Sequence, residues 1–72
     1  MKIGRICAVL KDKGFAFIAI DGLEVFAHHT DFPTGRNMLP VGSLVQFDTM
    51  EFRGKTKAIN IVLLPDGDEE TL

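Results

Sequence analysis

Apolar and polar residues alternate along most of the chain, and few segments repeat apolar residues at helical spacing. Alternation over about four to eight residues, rich in β-branched side chains, is typical of strands with one buried face. The pattern predicts five strands, at residues 2–10, 15–20, 23–29, 43–52 and 55–64.

The segments between these strands carry turn signals. Turns are predicted at "KDKG" (residues 11–14), "DG" (21–22) and "RG" (53–54), and "DG" is a strong signal for a tight turn. The longer connection "TDFPTGRNMLPVG" (30–42) contains two prolines, which argue against a central strand there, although a short helical turn fits its start.

Five short strands in 72 residues predict an all-β fold, a small five-stranded antiparallel barrel of the OB type. Closure removes the exposed edges that an open sheet of five strands would carry. An SH3-like barrel is the main competitor. Five apolar residues, one from each strand, are expected inside the barrel: Ile6, Ile18, Val25, Val45 and Ile61.

Composition indicates an ordinary globular domain, with 46% hydrophobic and 25% charged residues. The single cysteine, Cys7, excludes an internal disulfide and a cysteine-based zinc site, and it suits a reducing compartment. No stretch approaches the roughly 20 apolar residues of a membrane span, and the start of the chain lacks the features of a signal peptide. We therefore expect a cytoplasmic location.

Charge is unevenly distributed. The net charge of −2 includes four acids near the end of the chain, Asp66, Asp68, Glu69 and Glu70, whereas residues 1–64 hold eight basic and six acidic residues. The domain is expected to span residues 1–64, with 65–72 as an acidic tail or the start of a linker.

Aromatic residues mark one face of the second and third strands. Period-two alternation places Phe15 and Phe17 on one face of the second strand, and Phe26 and His28 on one face of the third. A phenylalanine at strand spacing usually belongs to a core. Here the opposite faces are wholly apolar and supply the core, so an outward cluster near Lys13 would mark a binding surface. Rings beside cations can stack on unpaired bases while the cations meet phosphates.

The segment "GRICAVLKDKGFAFIAIDGLEVFAHHTDF" resembles the cold-shock domain, a five-stranded OB-fold that binds single-stranded RNA and DNA. "KGFAFI" is similar to the family's Lys-Gly-Phe-Gly-Phe-Ile, and "VFAH" to its Val-Phe-Val-His. "LPVGSLVQFD" and "AINI" are similar to the family's fourth and fifth strands. The resemblance spans about residues 3 to 62.

The resemblance implies a set of nucleic-acid-binding residues. Lys13, Phe15, Phe17, Phe26 and His28 match family positions that contact nucleic acid, and His29 and Arg36 stand at or near positions of further aromatics. We expect Arg5 and Lys57 to contact phosphates as well.

The chain also departs from the family. The family's first strand carries Lys-Trp-Phe-Asn, with the tryptophan as a main stacking ring, where this chain has "CAVL" at residues 7–10. Lost rings predict weak binding, because each stacked base is worth about 1–3 kcal/mol. The connection and the ending "RGKTKAINI" look more like a variant found at the N-terminus of small bacterial inner-membrane proteins, so the chain is also compatible with the cytoplasmic domain of such a protein.

Two functional classes remain open. We favour a monomeric module that binds single-stranded RNA or DNA. The alternative is a protein-interaction or regulatory domain whose nucleic-acid surface has decayed, which the missing tryptophan and the near-neutral charge favour. No catalytic residue, cofactor, small-molecule substrate or membrane contact is expected. No metal site is expected either, because His28 and His29 would point to opposite faces of a strand.

Overall fold

The computed structural model describes residues 1–65 and shows five strands and two short 3₁₀ turns. The strands are β1 (Lys2–Leu10), β2 (Phe15–Ile20), β3 (Leu23–His28), β4 (Leu44–Phe52) and β5 (Lys55–Leu63). The 3₁₀ turns, His29–Asp31 and Gly35–Asn37, lie in the connection between β3 and β4. The expected tail lies almost wholly outside the described residues. Within residues 1–65, no helix is long and apolar enough to cross a membrane.

The strands form a closed barrel in the order β1-β2-β3-β5-β4, which confirms the predicted all-β barrel. One pairing is not antiparallel: β3 and β5 run parallel and meet at the pair Phe26 and Lys57. A closed ring with an odd number of strands cannot alternate direction at every contact, so at least one parallel pair is required.

Two hairpin turns have the geometry that their sequences predict. Asp21 and Gly22 both have positive φ, and so do Arg53 and Gly54. Positive φ at both central residues defines the type I′ turn, whose twist matches that of the flanking strands. These turns fix the registers of β2 with β3 and of β4 with β5.

The core lies inside the barrel and confirms most of the expected interior. Ile6, Ile18, Val45 and Ile61 are buried, whereas Val25 is partly buried and packs against the cluster. Val25 directly precedes Phe26, which pairs with Lys57 at the contact between β3 and β5.

The β3–β4 connection also contributes to the core, which the sequence pattern did not predict. Phe32, Met38 and Leu39 are all buried and pack against the residues of the strands. The connection therefore covers one end of the barrel, and its path holds Arg36 beside the end of β3.

Candidate nucleic-acid interface

Four rings form a contiguous surface on the outside of β2 and β3, which we call the aromatic face: Phe15, Phe17, Phe26 and His28. Phe17 pairs with Phe26 in the antiparallel register, and Phe15 pairs with His28. The Phe15 centroid lies 5.7 Å from that of Phe17 and 5.2 Å from that of Phe26. These rings are half-buried, in contrast to the fully buried Ala16 and Ile18 between them. The placement predicted from alternation is confirmed.

The imidazole of His28 is held in a fixed orientation at the edge of this face. Its Nδ1 lies 3.3 Å from the backbone nitrogen of Thr30 and accepts a hydrogen bond from it, capping the first 3₁₀ turn. The Thr30 hydroxyl lies 2.9 Å from the same nitrogen. In the neutral ring the proton therefore sits on Nε2. The ring centroid lies 6.5 Å from that of Phe26, so the two rings present adjoining surfaces.

His29 does not point away from His28, and the expectation of opposite faces is wrong. The predicted third strand ends one residue early, at His28, and the chain then turns into the 3₁₀ segment. The two imidazole centroids are 4.4 Å apart as a result. Within residues 1–65, no group of three or more His, Cys, Asp or Glu side chains could hold a metal ion.

Arg36 and Gly14 complete the surroundings of His29. Arg36 Nη1 donates to His29 Nε2 at 3.1 Å, which requires an unprotonated Nε2, because a guanidinium can only donate. Gly14 lies beneath the imidazole at a φ of +80°, and a Cβ there would meet His29 Cδ2 at 2.8 Å. This glycine thus allows the β1–β2 turn, which carries Lys13, to approach the histidines.

The pKa of His29 lies below its ordinary value of 6.5. Partial removal from water is the main cause, since it disfavours the charged imidazolium, and the positive charges of His28 and Arg36 act in the same direction. The unfolded chain then binds this proton more readily than the folded one. The free energy of unfolding therefore decreases as the pH falls from about 6.5 towards the pKa of His29 in the folded state.

We expect His29 to titrate below 6.5 in a histidine-ring NMR titration of the folded domain. Arg36→Ala should raise that pKa, because it removes one of the charges that oppose protonation. Arg53→Ala, which removes an exposed charge at the β4–β5 turn, is the matched control and should leave it unchanged. A His29 pKa above 6.5 in the wild type would contradict this geometry.

The predicted cations occupy different places around the aromatic face. Lys13 lies in the exposed β1–β2 turn, two residues before Phe15. Lys57 Nζ lies 3.5 Å from Asp31 Oδ2 and neighbours Phe26 across the β3–β5 contact. Arg5 is on β1, and its Nη1 donates to the Gly42 carbonyl at 2.9 Å, so the guanidinium extends towards the β3–β4 connection. Lys13 and Lys57 thus flank the rings, and the Arg5 guanidinium lies beside the β3–β4 connection.

The outer surface of β1 leaves a gap in the aromatic face. Ala8 pairs with Phe17 across β1 and β2, next to a register shift between Ile6 and Ala8. Cys7 is exposed at this irregularity, and its Sγ lies 3.5 Å from the Phe17 carbonyl oxygen. The cross-strand neighbour of Phe17 on β1 is therefore a methyl group.

Phe52 and Arg53, which the sequence pattern did not single out, lie at the end of the β4–β5 hairpin beside Lys57. Arg53 Cζ lies 5.5 Å, and Lys57 Nζ 5.8 Å, from the Phe52 ring centroid. Both distances fall within the range of cation–π contacts. The aromatic residue directly before the predicted "RG" turn was the available signal.

A family model described as the "'Cold-shock' DNA-binding domain" matches residues 2–64, which include all five strands. No curated protein sequence matches the chain.

Proposed function

The chain belongs to the "cold-shock" DNA-binding domain family, a family of nucleic-acid-binding domains, and we propose that it binds single-stranded RNA or DNA through its aromatic face. The observation that carries the proposal is the grouping of three half-buried phenylalanine rings and His28 on one outer surface between Lys13 and Lys57.

The proposed mechanism is base stacking assisted by phosphate contacts. Unpaired bases offer free π-faces to Phe15, Phe17 and Phe26, whereas the bases of a duplex are already stacked on each other. Lys13, Lys57 and Arg5 contact phosphates, and His28, His29 and Arg36 extend the surface towards the β3–β4 connection. Binding only the unpaired form shifts a folded RNA towards open forms by mass action.

Weak binding is part of the proposal. The face is built from three phenylalanines and a histidine, the chain has no tryptophan, and Ala8 lies beside Phe17. We further propose a monomer acting in the cytoplasm, alone or as the cytoplasmic domain of an inner-membrane protein, with residues 1–64 as the domain and 65–72 as a tail or linker.

One observation favours the alternative of a protein-interaction or regulatory domain. Several apolar side chains outside the aromatic face are half exposed, among them Ile3 and Val62 at 54% and 50%. Exposed apolar side chains mark a protein contact where they form a contiguous patch. The alternative predicts no saturable oligonucleotide binding.

The salt dependence of binding to an oligothymidine tests the proposed function. Three phosphate contacts predict a slope of about −2 in log affinity against log salt. Lys13→Ala should reduce its magnitude by about 0.7, because one contact is lost. Titration followed by NMR at several salt concentrations measures both values.

The control for this titration is Lys2→Ala, which removes an equal charge from the exposed start of β1 and should keep the slope. Absence of saturable binding at low salt would refute the proposed function. An unchanged slope in Lys13→Ala would remove Lys13 from the phosphate contacts.

A further inference from the structure

Phe52 is an exposed aromatic ring outside the set that the family resemblance implies. It ends β4, and 54% of its surface is exposed to solvent. It is not an isolated apolar residue, because Arg53 and Lys57 both lie within 6 Å of the ring centroid. A ring with cations near its π-face offers the two interactions that bind a nucleotide of a single strand, which are stacking on the base and charge attraction to the phosphate.

The ring belongs to a groove that also reaches the aromatic face. The groove has a volume of about 580 Å³, and its wall includes Phe17 and Phe26 on one side and Phe52 on the other. The β3–β5 contact brings these sides together, since Phe26 neighbours Lys57 there. A volume in the range of about 300–1,000 Å³ is typical of small-molecule sites, so a nucleobase with its sugar and phosphate fits.

The charge of the groove favours a polyanion. Arg53, Lys55 and Lys57 line it, against a single acid, Glu24. Lys57 is partly engaged by Asp31 at 3.5 Å. Arg53 and Lys55 are exposed on the hairpin. They are therefore placed to contact phosphate while Lys57 stays paired with Asp31.

We infer that this groove is an additional nucleotide subsite, in which Phe52 stacks on one base of a single strand while Arg53 and Lys55 contact its phosphates. The inference rests on the proposed function and extends it. The bound strand would continue from β2 and β3 across the β3–β5 contact onto the β4–β5 hairpin. The bound strand would thereby meet one more ring, Phe52, on the side of the aromatic face that lies away from Ala8.

A fluorescence experiment tests the position of the base. The chain contains no tryptophan, so the emission of a Phe52→Trp variant comes from position 52 alone. Saturating quenching on titration with an oligothymidine is expected, because the indole stacks on a thymine. Val62→Trp places the same fluorophore at an exposed site near the other end of β5 and should show unchanged emission.

Affinity measurements test the contribution of the ring. Phe52→Ala and Phe52→Leu should each weaken oligothymidine binding by about 5- to 150-fold, the equivalent of one stacked base. Leucine keeps an apolar side chain but has no π-face, so equal losses indicate stacking. Because Phe52 is exposed, both variants should retain the wild-type NMR spectrum away from the hairpin.

The possible results separate the two proposals. If Phe17→Ala loses affinity while both Phe52 variants bind as the wild type does, the subsite is refuted and the proposed function stands. If the wild type does not bind the oligonucleotide, both are refuted. If an acidic peptide of matched charge quenches Phe52→Trp at the same concentration, the groove is a peptide site and the inference is overturned.

Discussion

Replacing Phe17 with alanine is expected to weaken the binding of an unstructured oligothymidine by about 1–3 kcal/mol, or about 5- to 150-fold. Phe17 packs against two other rings of the aromatic face: its centroid lies 5.7 Å from that of Phe15 and 6.1 Å from that of Phe26. The slope of log affinity against log salt should hardly change, because the ring carries no charge. Titrations at several salt concentrations measure both quantities.

Two further variants make this experiment decisive. Phe17→Leu preserves most of the packing against the neighbouring rings but removes the π-face, so it should lose affinity even if alanine perturbs the fold. Leu23→Ala removes an exposed apolar side chain at the start of β3 and should bind as the wild type does. If folded Phe17→Ala and Phe17→Leu both bind normally, base stacking on this ring is wrong, and the protein-interaction alternative is favoured.

The sequence predicted the strands well because their signals are local. Alternation and the "DG" and "RG" turns depend on residues that are close in the chain, and β1 and β2 have the predicted limits. The third strand ends earlier than predicted because His28 accepts a hydrogen bond from Thr30 and caps the following 3₁₀ turn. Such a side-chain cap is not visible in an apolar pattern.

The β3–β4 connection was less predictable because its contribution to the core is not periodic. Phe32, Met38 and Leu39 are buried through the path of the loop, which includes a positive φ at Met38. No alternation identifies such residues, and Pro33 and Pro40 favour an irregular structure. The same path places Arg36 against His29, a contact between residues seven positions apart.

The residues of the candidate interface also differ in how far the sequence predicts their positions. Period-two alternation was enough to place Phe15, Phe17 and Phe26 on one face, because β2 and β3 form a simple hairpin. The approach of Phe52 to this face depends on closure of the barrel between β3 and β5, which joins residues 26 and 57. The strand pattern predicts that a barrel closes, but it does not predict which outward side chains meet where β3 contacts β5.

Restoring a large ring beside Phe17 should strengthen binding. By order along the first strand, Ala8 occupies the position of the tryptophan in the Lys-Trp-Phe-Asn motif of the cold-shock family. It pairs with Phe17 and is only half-buried, so an indole there would lie on the outer surface and extend the aromatic face. Ala8→Trp is expected to increase affinity for an oligothymidine by about 5- to 150-fold, the value of one more stacked base.

The control is Ile3→Trp, which adds an indole at an exposed position of the same strand, next to β4 instead of β2. Each variant contains a single tryptophan, so quenching of its emission measures affinity and shows whether the indole contacts the bases. Tighter binding with quenching in Ala8→Trp, and neither effect in Ile3→Trp, would show that the missing ring limits affinity. Equal affinity of both variants and the wild type would mean that the bound strand does not cross β1 at Ala8, and that weak binding has another cause than the lost tryptophan.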